Sequence, residues 1–115
     1  MNAKYPSTMT QIKRTIPGTE DESGVANMAD FTLVKIRVPA DMTGAKITLL
    51  GGTDAASLAP IYDAEGEALE RDIPAAGGII QFDANTTIGL QFFAVKSDEN
   101  ESASREIEFI GYRFA

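Results

Sequence analysis

The stretch FTLVKIRVPADMTGAKITLLGG, residues 31–52, decides the fold class of this chain. Apolar side chains alternate with Lys35 and Arg37 in its first half, and Pro39 then ends the run. Alternation with a period of two is typical of a strand that buries one face. The second half, residues 45–52, repeats the pattern before a double glycine. The stretch therefore predicts two consecutive β-strands.

Short runs rich in β-forming residues follow one another along the chain at spacings of about ten residues. They cover residues 10–16, 57–63, 67–73, 78–83, 88–97 and 104–115. In the last run the apolar positions change phase after Gly111, which predicts a β-bulge at that glycine. No segment has a convincing helical pattern. We therefore expect an all-β fold, an antiparallel β-sandwich of seven or eight short strands with jelly-roll or immunoglobulin-like topology.

Composition excludes most kinds of enzyme site. The chain has 115 residues, enough for one domain with its own core, and it contains no Cys and no His. Disulfides, most zinc and haem sites and imidazole-dependent catalysis cannot be built from these residue types. No apolar run approaches the roughly 18 residues that a membrane span requires. We expect a protein that is not an enzyme and that binds no cofactor and no metal.

Charge is unevenly distributed along the chain, whose net charge is −7. Residues 1–18 carry three basic residues and no acid, whereas residues 19–115 carry seven basic and seventeen acidic residues. A body this acidic repels phosphate backbones, which disfavours nucleic acid as a partner. We expect residues 1–30 to form an extended N-terminal arm on an acidic protein surface, its own or a neighbour's, ahead of a β-sandwich domain at residues 31–115. A frayed terminus explains the same residues equally well.

Two groups of side chains are candidates for contact with a partner protein. Basic and apolar residues of the arm would supply charges and anchors, and the exposed face of residues 31–40 would add to them. If Val34, Ile36 and Val38 point inward, the residues of opposite phase point outward, and these are Leu33, Lys35 and Arg37. The candidates are Lys4, Tyr5, Ile12, Lys13, Arg14, Ile16, Leu33, Lys35 and Arg37. An ordinary solvated sheet surface explains the exposed face of residues 31–40 equally well.

The loop LLGGTDAASLAPIYDAEGE, residues 49–67, admits several chemical interpretations. A phosphate-binding loop is disfavoured because neither a helix nor a Lys follows its glycines. Asp63, Glu65 and Glu67 alternate as calcium ligands do, although without the spacing of an EF-hand. A turn that places Gly66 in the left-handed conformation accounts for the stretch better.

The sequence also predicts structural roles for other side chains of this loop. Asp54 should accept hydrogen bonds from the backbone of its own loop. Leu58 and Tyr62 should point into the core. A catalytic pair of carboxylates is disfavoured, because acids this common are usually solvated surface groups. Both corners are therefore expected to be turns.

The order of the motifs resembles that of a family of small virion proteins of tailed phages. The matching pieces are VPA at 38–40, TGAKITL at 43–49, GGTD at 51–54, IYDAEG at 61–66 and KS at 96–97. The resemblance covers about residues 31–114. It departs at GGTDAAS, where a Gly would usually follow the Asp. The resemblance implies a β-sandwich that is built into virions and that has the size of head decoration, or cement, proteins.

The resemblance also implies a structural role. Cement proteins lie on the outer capsid, bind the major capsid protein and bridge neighbouring subunits, often as homodimers or homotrimers. On that basis we expect the chain on the capsid surface of a virion, made and assembled in host cytoplasm, with neither nucleic acid nor membrane as a partner. The alternative is a carbohydrate-binding or host-attachment module of a tail or fibre, which would use the loops near Asp54, Asp63 and Glu65 together with Tyr62.

Overall fold

The computed structural model describes residues 8–113, which form nine β-strands and one short helix. The strands are β1 (Thr8–Ile16), β2 (Ala26–Asn27), β3 (Thr32–Val38), β4 (Lys46–Gly52), β5 (Ala59–Pro60), β6 (Glu70–Asp72), β7 (Gly78–Gln81), β8 (Phe92–Ser97) and β9 (Arg105–Arg113). The helix α1 (Ala84–Thr87) is a single turn between β7 and β8. The all-β fold that the sequence predicts is confirmed.

Two antiparallel sheets form the sandwich. One has the strand order β1-β9-β3-β7, and the other has the order β2-β8-β4-β5, with β6 also paired to β4. β5 pairs with Leu50 and Gly51, and β6 pairs with residues 46–48, so both lie along the same edge of β4. If β5 and β6 are counted as one interrupted strand, the two sheets together have eight strands in the order of a jelly roll. The chain thus adopts the first of the two expected topologies, and the interruption accounts for the additional strand.

The core lies between the two sheets, where alternate residues of each strand point inward. Its largest fully buried side chains include Phe93, Phe109, Leu49 and Ile36. Burial of an aliphatic or aromatic side chain of this size stabilises a fold by about 1.5–3 kcal/mol. The core can therefore supply the stability that a chain without disulfides needs.

Residues 8–30, predicted to be part of an extended arm, belong to the sandwich instead. β1 pairs with β9 over all nine of its residues, and β2 adds to the second sheet. β1 joins the sandwich because Ile12 and Ile16 point toward the core. Ile16 is completely buried, and Ile12 packs against the core. Residues 8–30 therefore share the core of the sandwich. The candidates Lys4 and Tyr5 lie outside the described residues.

The β-bulge lies on a different strand from the one predicted. β9 pairs regularly with β1 through Gly111, whereas its register with β3 shifts between Leu33 and Lys35. Val34 is the extra residue, and it changes which side chains of β3 point inward. Leu33 is completely buried as a result, although the alternation predicts an outward position. Leu33 is therefore a core residue and not a contact for a partner.

The turn predicted at residues 63–67 is confirmed. Gly66 has a φ of +83°, in the left-handed region, and its N–H donates to the carbonyl of Asp63 at 3.0 Å. Oδ1 of Asp63 accepts from the N–H groups of Glu65 and Glu67, at 2.9 Å each. These bonds fix a hairpin that projects from the second sheet between β5 and β6.

Candidate functional site

The outer face of the four-stranded sheet brings together three of the basic candidates. We use outer face for the side chains of β1, β9, β3 and β7 that point away from the core. The register places Lys13 opposite Glu108, and Glu108 opposite Arg37. Lys35 lies on the same face of β3. Residues from separate parts of the sequence are thus neighbours on one surface.

Two carboxylates of β9 partly neutralise these basic groups. Nζ of Lys13 lies 3.9 Å from Oε1 of Glu106, and Nε of Arg37 lies 3.2 Å from Oε1 of Glu108. Both basic side chains remain more than half exposed. The pair of Lys13 and Glu106 is exposed at both ends, and such pairs are worth about 0–1 kcal/mol. A partner could therefore replace this pair at little cost in free energy, whereas Glu108 of the other pair is only 14% exposed.

Apolar side chains interrupt the charges on the outer face. Met9 is 50% exposed and Ile79 is 47% exposed. Nζ of Lys35 lies 6.0 Å from the ring centroid of Tyr112, within the range of a cation–π contact. The strands of this face carry three basic and two acidic outward residues, on a chain whose net charge is −7. A surface of mixed apolar and charged groups fits a protein partner.

The outward face of the second sheet, which we call the acidic face, reverses this balance. It carries Glu22, Glu70 and Asp72 against Lys46 and Lys96. Nζ of Lys46 lies 2.9 Å from Oδ1 of Asp72, and the hydrogen bond between them lowers the pKa of Asp72 and raises the pKa of Lys46. The two faces of the sandwich therefore differ in charge, and the outer face is the more basic.

Arg14 binds the edge of its own domain. Its Nε donates to the carbonyl of Val25 at 2.8 Å, and its Nη1 donates to the carbonyl of Lys13 at 2.7 Å. The carbonyl of Thr15 accepts from the N–H of Gly24 at 3.1 Å. These bonds cover part of the free edge of β1. Arg14 therefore contacts the surface of its own domain.

The apolar candidates do not form an exposed anchor. Ile16 and Leu33 are completely buried, and Ile12 is partly buried against the core. All three take inward positions in their strands, because the sandwich gains more from burying them in its own core than from exposing them. A partner would therefore meet Lys13, Lys35 and Arg37 without these anchors.

A second candidate site is a cleft beside the edge strands β6 and β7, which we call the side cleft. Its volume is about 580 Å³. Its lining residues include Tyr62, Asp63, Glu65, Arg71, Asp83 and Asn85. The hairpin between β5 and β6 contributes one part of the lining, and the turn that leads into α1 contributes another. The volume lies within the range of small-ligand sites.

Arg71 supplies a cation to the side cleft. Its guanidinium carbon lies 5.2 Å from the ring centroid of Phe82, and Nη1 donates to the carbonyl of Glu70 at 3.1 Å. Among residues 8–113, Arg71 forms no ion pair. The aromatic ring thus holds the guanidinium in place, while its other N–H groups stay available to a ligand.

Tyr62 and Asn85 are held at the side cleft by their local structure. Tyr62 is 62% exposed because Ile61 takes the buried position, so the prediction that Tyr62 points into the core is wrong. Asp83 caps α1: its Oδ1 accepts from the N–H of Asn85 at 3.0 Å. An aromatic ring and an amide therefore line the same space as Arg71.

Sequence reasoning did not identify Arg71, Asp83 or Asn85 as residues of the side cleft. A signal for Arg71 exists, because it alternates with the apolar Leu69 and Ile73 on either side of β6 and pairs with the buried Ile47. A charged residue at an inward position of a strand is unusual, because charged side chains are rarely buried. Asp83 and Asn85 give no such signal, because their residue types are common in ordinary turns.

The two aspartate side chains of residues 49–67 act in turns. Oδ1 of Asp54 accepts from the N–H of Ala56 at 3.0 Å, as predicted, and Asp63 closes the hairpin. No group of three or more Asp or Glu side chains in the described part of the chain is placed to hold a metal ion. Within the same residues, no helix is long and apolar enough to cross a membrane.

Comparison with known proteins shows the fold. No protein-family model and no curated protein sequence matches the chain. The solved structure of the SPBc2 prophage-derived protein YomS matches with a TM-score of 0.58 and 8% identity, over 93% of this chain and 96% of that one. CBM32-1 from a family 31 glycoside hydrolase of Clostridium perfringens matches with a TM-score of 0.56 and 12% identity, over 94% of this chain and 96% of that one. In both cases the similarity to this chain is one of β-sandwich architecture.

Proposed function

We propose that the chain is a non-enzymatic structural protein of a phage virion. In this role it is a head decoration, or cement, protein that binds the major capsid protein and bridges neighbouring subunits of the outer capsid. The observation that carries the proposal is the outer face, where Lys13, Lys35 and Arg37 lie beside exposed Met9 and Ile79. The order of the sequence motifs, similar to that of small virion proteins of tailed phages, supports the same role. A prophage-derived protein of the same fold, YomS, adds support.

The composition of the outer face explains how it would bind. Acidic groups of a capsid subunit would pair with Lys13, Lys35 and Arg37, while Met9 and Ile79 would lose contact with water. Each contact is weak. A homodimer or homotrimer on a symmetric capsid multiplies weak contacts, because the second binding event is intramolecular. Bridging of this kind needs no catalytic group.

Co-sedimentation with capsids assembled without the protein tests this proposal. Saturable binding that also raises the temperature at which the capsids break supports a cement protein. The binding should weaken as salt rises, because exposed charges are screened beyond about 8 Å at physiological ionic strength. A folded chain that does not sediment with the capsids contradicts the proposal.

The side cleft favours a second candidate function, a carbohydrate-binding or host-attachment module of a tail or fibre. Tyr62 offers an aromatic surface, and Arg71 and Asn85 offer polar groups around it, which is the composition of many small-ligand sites. CBM32-1, a carbohydrate-binding module, has the same architecture. We expect the purified chain to bind a glycan array and to lose that binding in Tyr62→Ala. An array without signal from a folded chain contradicts this second function.

A further inference from the structure

We infer that the side cleft binds a neutral saccharide unit. Tyr62 packs against one face of the sugar ring, and Arg71, Asp63, Asp83 and Asn85 surround its hydroxyl groups. The inference rests on the second proposed function, carbohydrate binding, and adds to it the site and the class of sugar. It is independent of what the outer face binds.

The charge of the side cleft selects against anionic sugars. Asp63, Glu65 and Asp83 bring three carboxylates to a lining in which Arg71 is the cation. The resulting negative potential repels uronates, sulfated sugars and phosphates. A neutral sugar does not meet this repulsion.

The carboxylates keep acceptor atoms for a ligand. Oδ1 of Asp63 and Oδ1 of Asp83 accept from the backbone of their own turns. No hydrogen bond between residues 8 and 113 reaches Oδ2 of either side chain. A carboxylate oxygen accepts strongly from a hydroxyl group. Each of these two side chains can therefore accept from a hydroxyl of the sugar.

Arg71 supplies the donors that sugar oxygens need. A guanidinium has five N–H donors, and one of them is used by the carbonyl of Glu70. The Phe82 ring fixes the orientation of the rest. A sugar hydroxyl both donates and accepts, so a neutral saccharide satisfies the donors of Arg71 and the acceptors of Asp63 and Asp83 together. A carboxylate group has no hydrogen to donate, so it would satisfy the donors of Arg71 and leave the acceptors of Asp63 and Asp83 unsatisfied.

Tyr62 adds an apolar surface to this polar lining. Its ring projects from the hairpin and is 62% exposed. One end of a Tyr side chain is apolar and the other is polar, which suits a ligand with C–H faces and hydroxyl edges. A cleft of about 580 Å³ is large enough for a small saccharide.

Titration of the purified chain, followed by its amide chemical shifts, tests the inference. The probes are the methyl glycosides of galactose, glucose, mannose and N-acetylglucosamine, and the methyl uronosides of galacturonic and glucuronic acid. We expect at least one neutral glycoside to shift amides of residues 62–71 and 83–86, and to bind at least about tenfold more tightly than the uronosides. Tyr62→Ala and Arg71→Met should each weaken that binding about tenfold. Tyr112→Ala, a tyrosine outside the side cleft, should leave it unchanged.

The outcomes separate the inference from the function on which it rests. Uronosides that bind as tightly as the neutral glycosides overturn the class of sugar and leave carbohydrate binding intact. Binding that survives both side-cleft variants overturns the site. If no glycoside shifts any amide of the folded chain, the inference fails, and the glycan array then decides separately whether the second function fails with it.

Discussion

The carboxylate of Glu101 forms an ion pair with Arg105, with 3.1 Å between Oε1 and Nε, at a place where Glu101 is completely buried. It also accepts from the N–H groups of Thr43 at 2.7 Å and Gly44 at 3.0 Å, and from Oγ of Ser97 at 2.8 Å. The carboxylate thus joins the loop between β3 and β4 to the end of β8 and the start of β9. A buried charge with this many partners makes that end of the sandwich rigid.

Glu101→Gln should lower the free energy of unfolding by about 3–5 kcal/mol. The amide loses the charge that pairs with Arg105, and its NH₂ group, itself a donor, faces donors from which the carboxylate oxygens accepted. Urea denaturation measures the change. The matched control is Glu99→Gln, because Glu99 is exposed and makes no ion pair within residues 8–113; its effect should stay within about 0.5 kcal/mol. Equal effects of the two changes would show that Glu101 does not hold the loops.

The contribution of Glu101 to stability should depend on pH. Burial acts to raise the pKa of Glu101, but hydrogen bonds from Thr43, Gly44, Ser97 and Arg105 outweigh burial and leave the pKa below its ordinary value. The stabilisation is therefore complete above the unfolded-state pKa of about 4.3 and is lost as the pH falls through the lower folded-state pKa. The difference in unfolding free energy between the native chain and Glu101→Gln should shrink only below about pH 4.3. Loss of most of that difference between about pH 7 and pH 5 would contradict this prediction.

Leu33→Ala should destabilise the fold by about 2–5 kcal/mol, because it empties a fully buried position. Lys35→Ala, on the outward side of the same strand, should cost about 1 kcal/mol or less, chiefly through its contact with Tyr112. Thermal or urea unfolding of the two variants measures both effects. The reverse order would mean that β3 has no bulge at Val34 and that Leu33 is exposed.

Gly111→Ala should destabilise the fold by about 1–3 kcal/mol through overpacking. A Cβ atom at this position would lie 2.7 Å from Cε of Met28 and 2.9 Å from the carbonyl oxygen of Thr32, and that oxygen belongs to the backbone. Gly24→Ala is the control, because a Cβ there meets Arg14 at 3.5 Å, an ordinary contact distance. If the two variants unfold at the same urea concentration, close packing is not the reason for glycine at position 111.

Local features of this fold could be predicted from the sequence because a few neighbouring residues determine them. Alternation of apolar residues predicts β3, β4 and most of β9, and the sequence at 63–67 predicts the left-handed Gly66. The bulge could not be placed correctly, because it depends on how β3 and β9 align across the sheet. The phase change at Gly111 signals a shift in register but does not show that Val34 is the inserted residue.

The two sites could be predicted only in part, because they are assembled from residues far apart in the chain. Lys35 and Arg37 can be identified from alternation alone, whereas their proximity to Lys13 requires the β1-β9-β3 order.

Glu101 lies in an acidic stretch that resembles a solvated loop. Its backbone partners Thr43 and Gly44 lie 58 and 57 residues away, so nothing local indicates a buried carboxylate.

The most direct test of the central claim is a comparison of two charge-reversed variants in the capsid co-sedimentation assay. One variant carries Lys35→Glu and Arg37→Glu on the outer face, and the control carries Lys46→Glu and Lys96→Glu on the acidic face, with the same change in net charge. We predict that the outer-face variant binds capsids at least about tenfold more weakly than the native chain, whereas the control binds as the native chain does. Unchanged binding of the outer-face variant, or an equal loss in both variants, would contradict docking through the outer face.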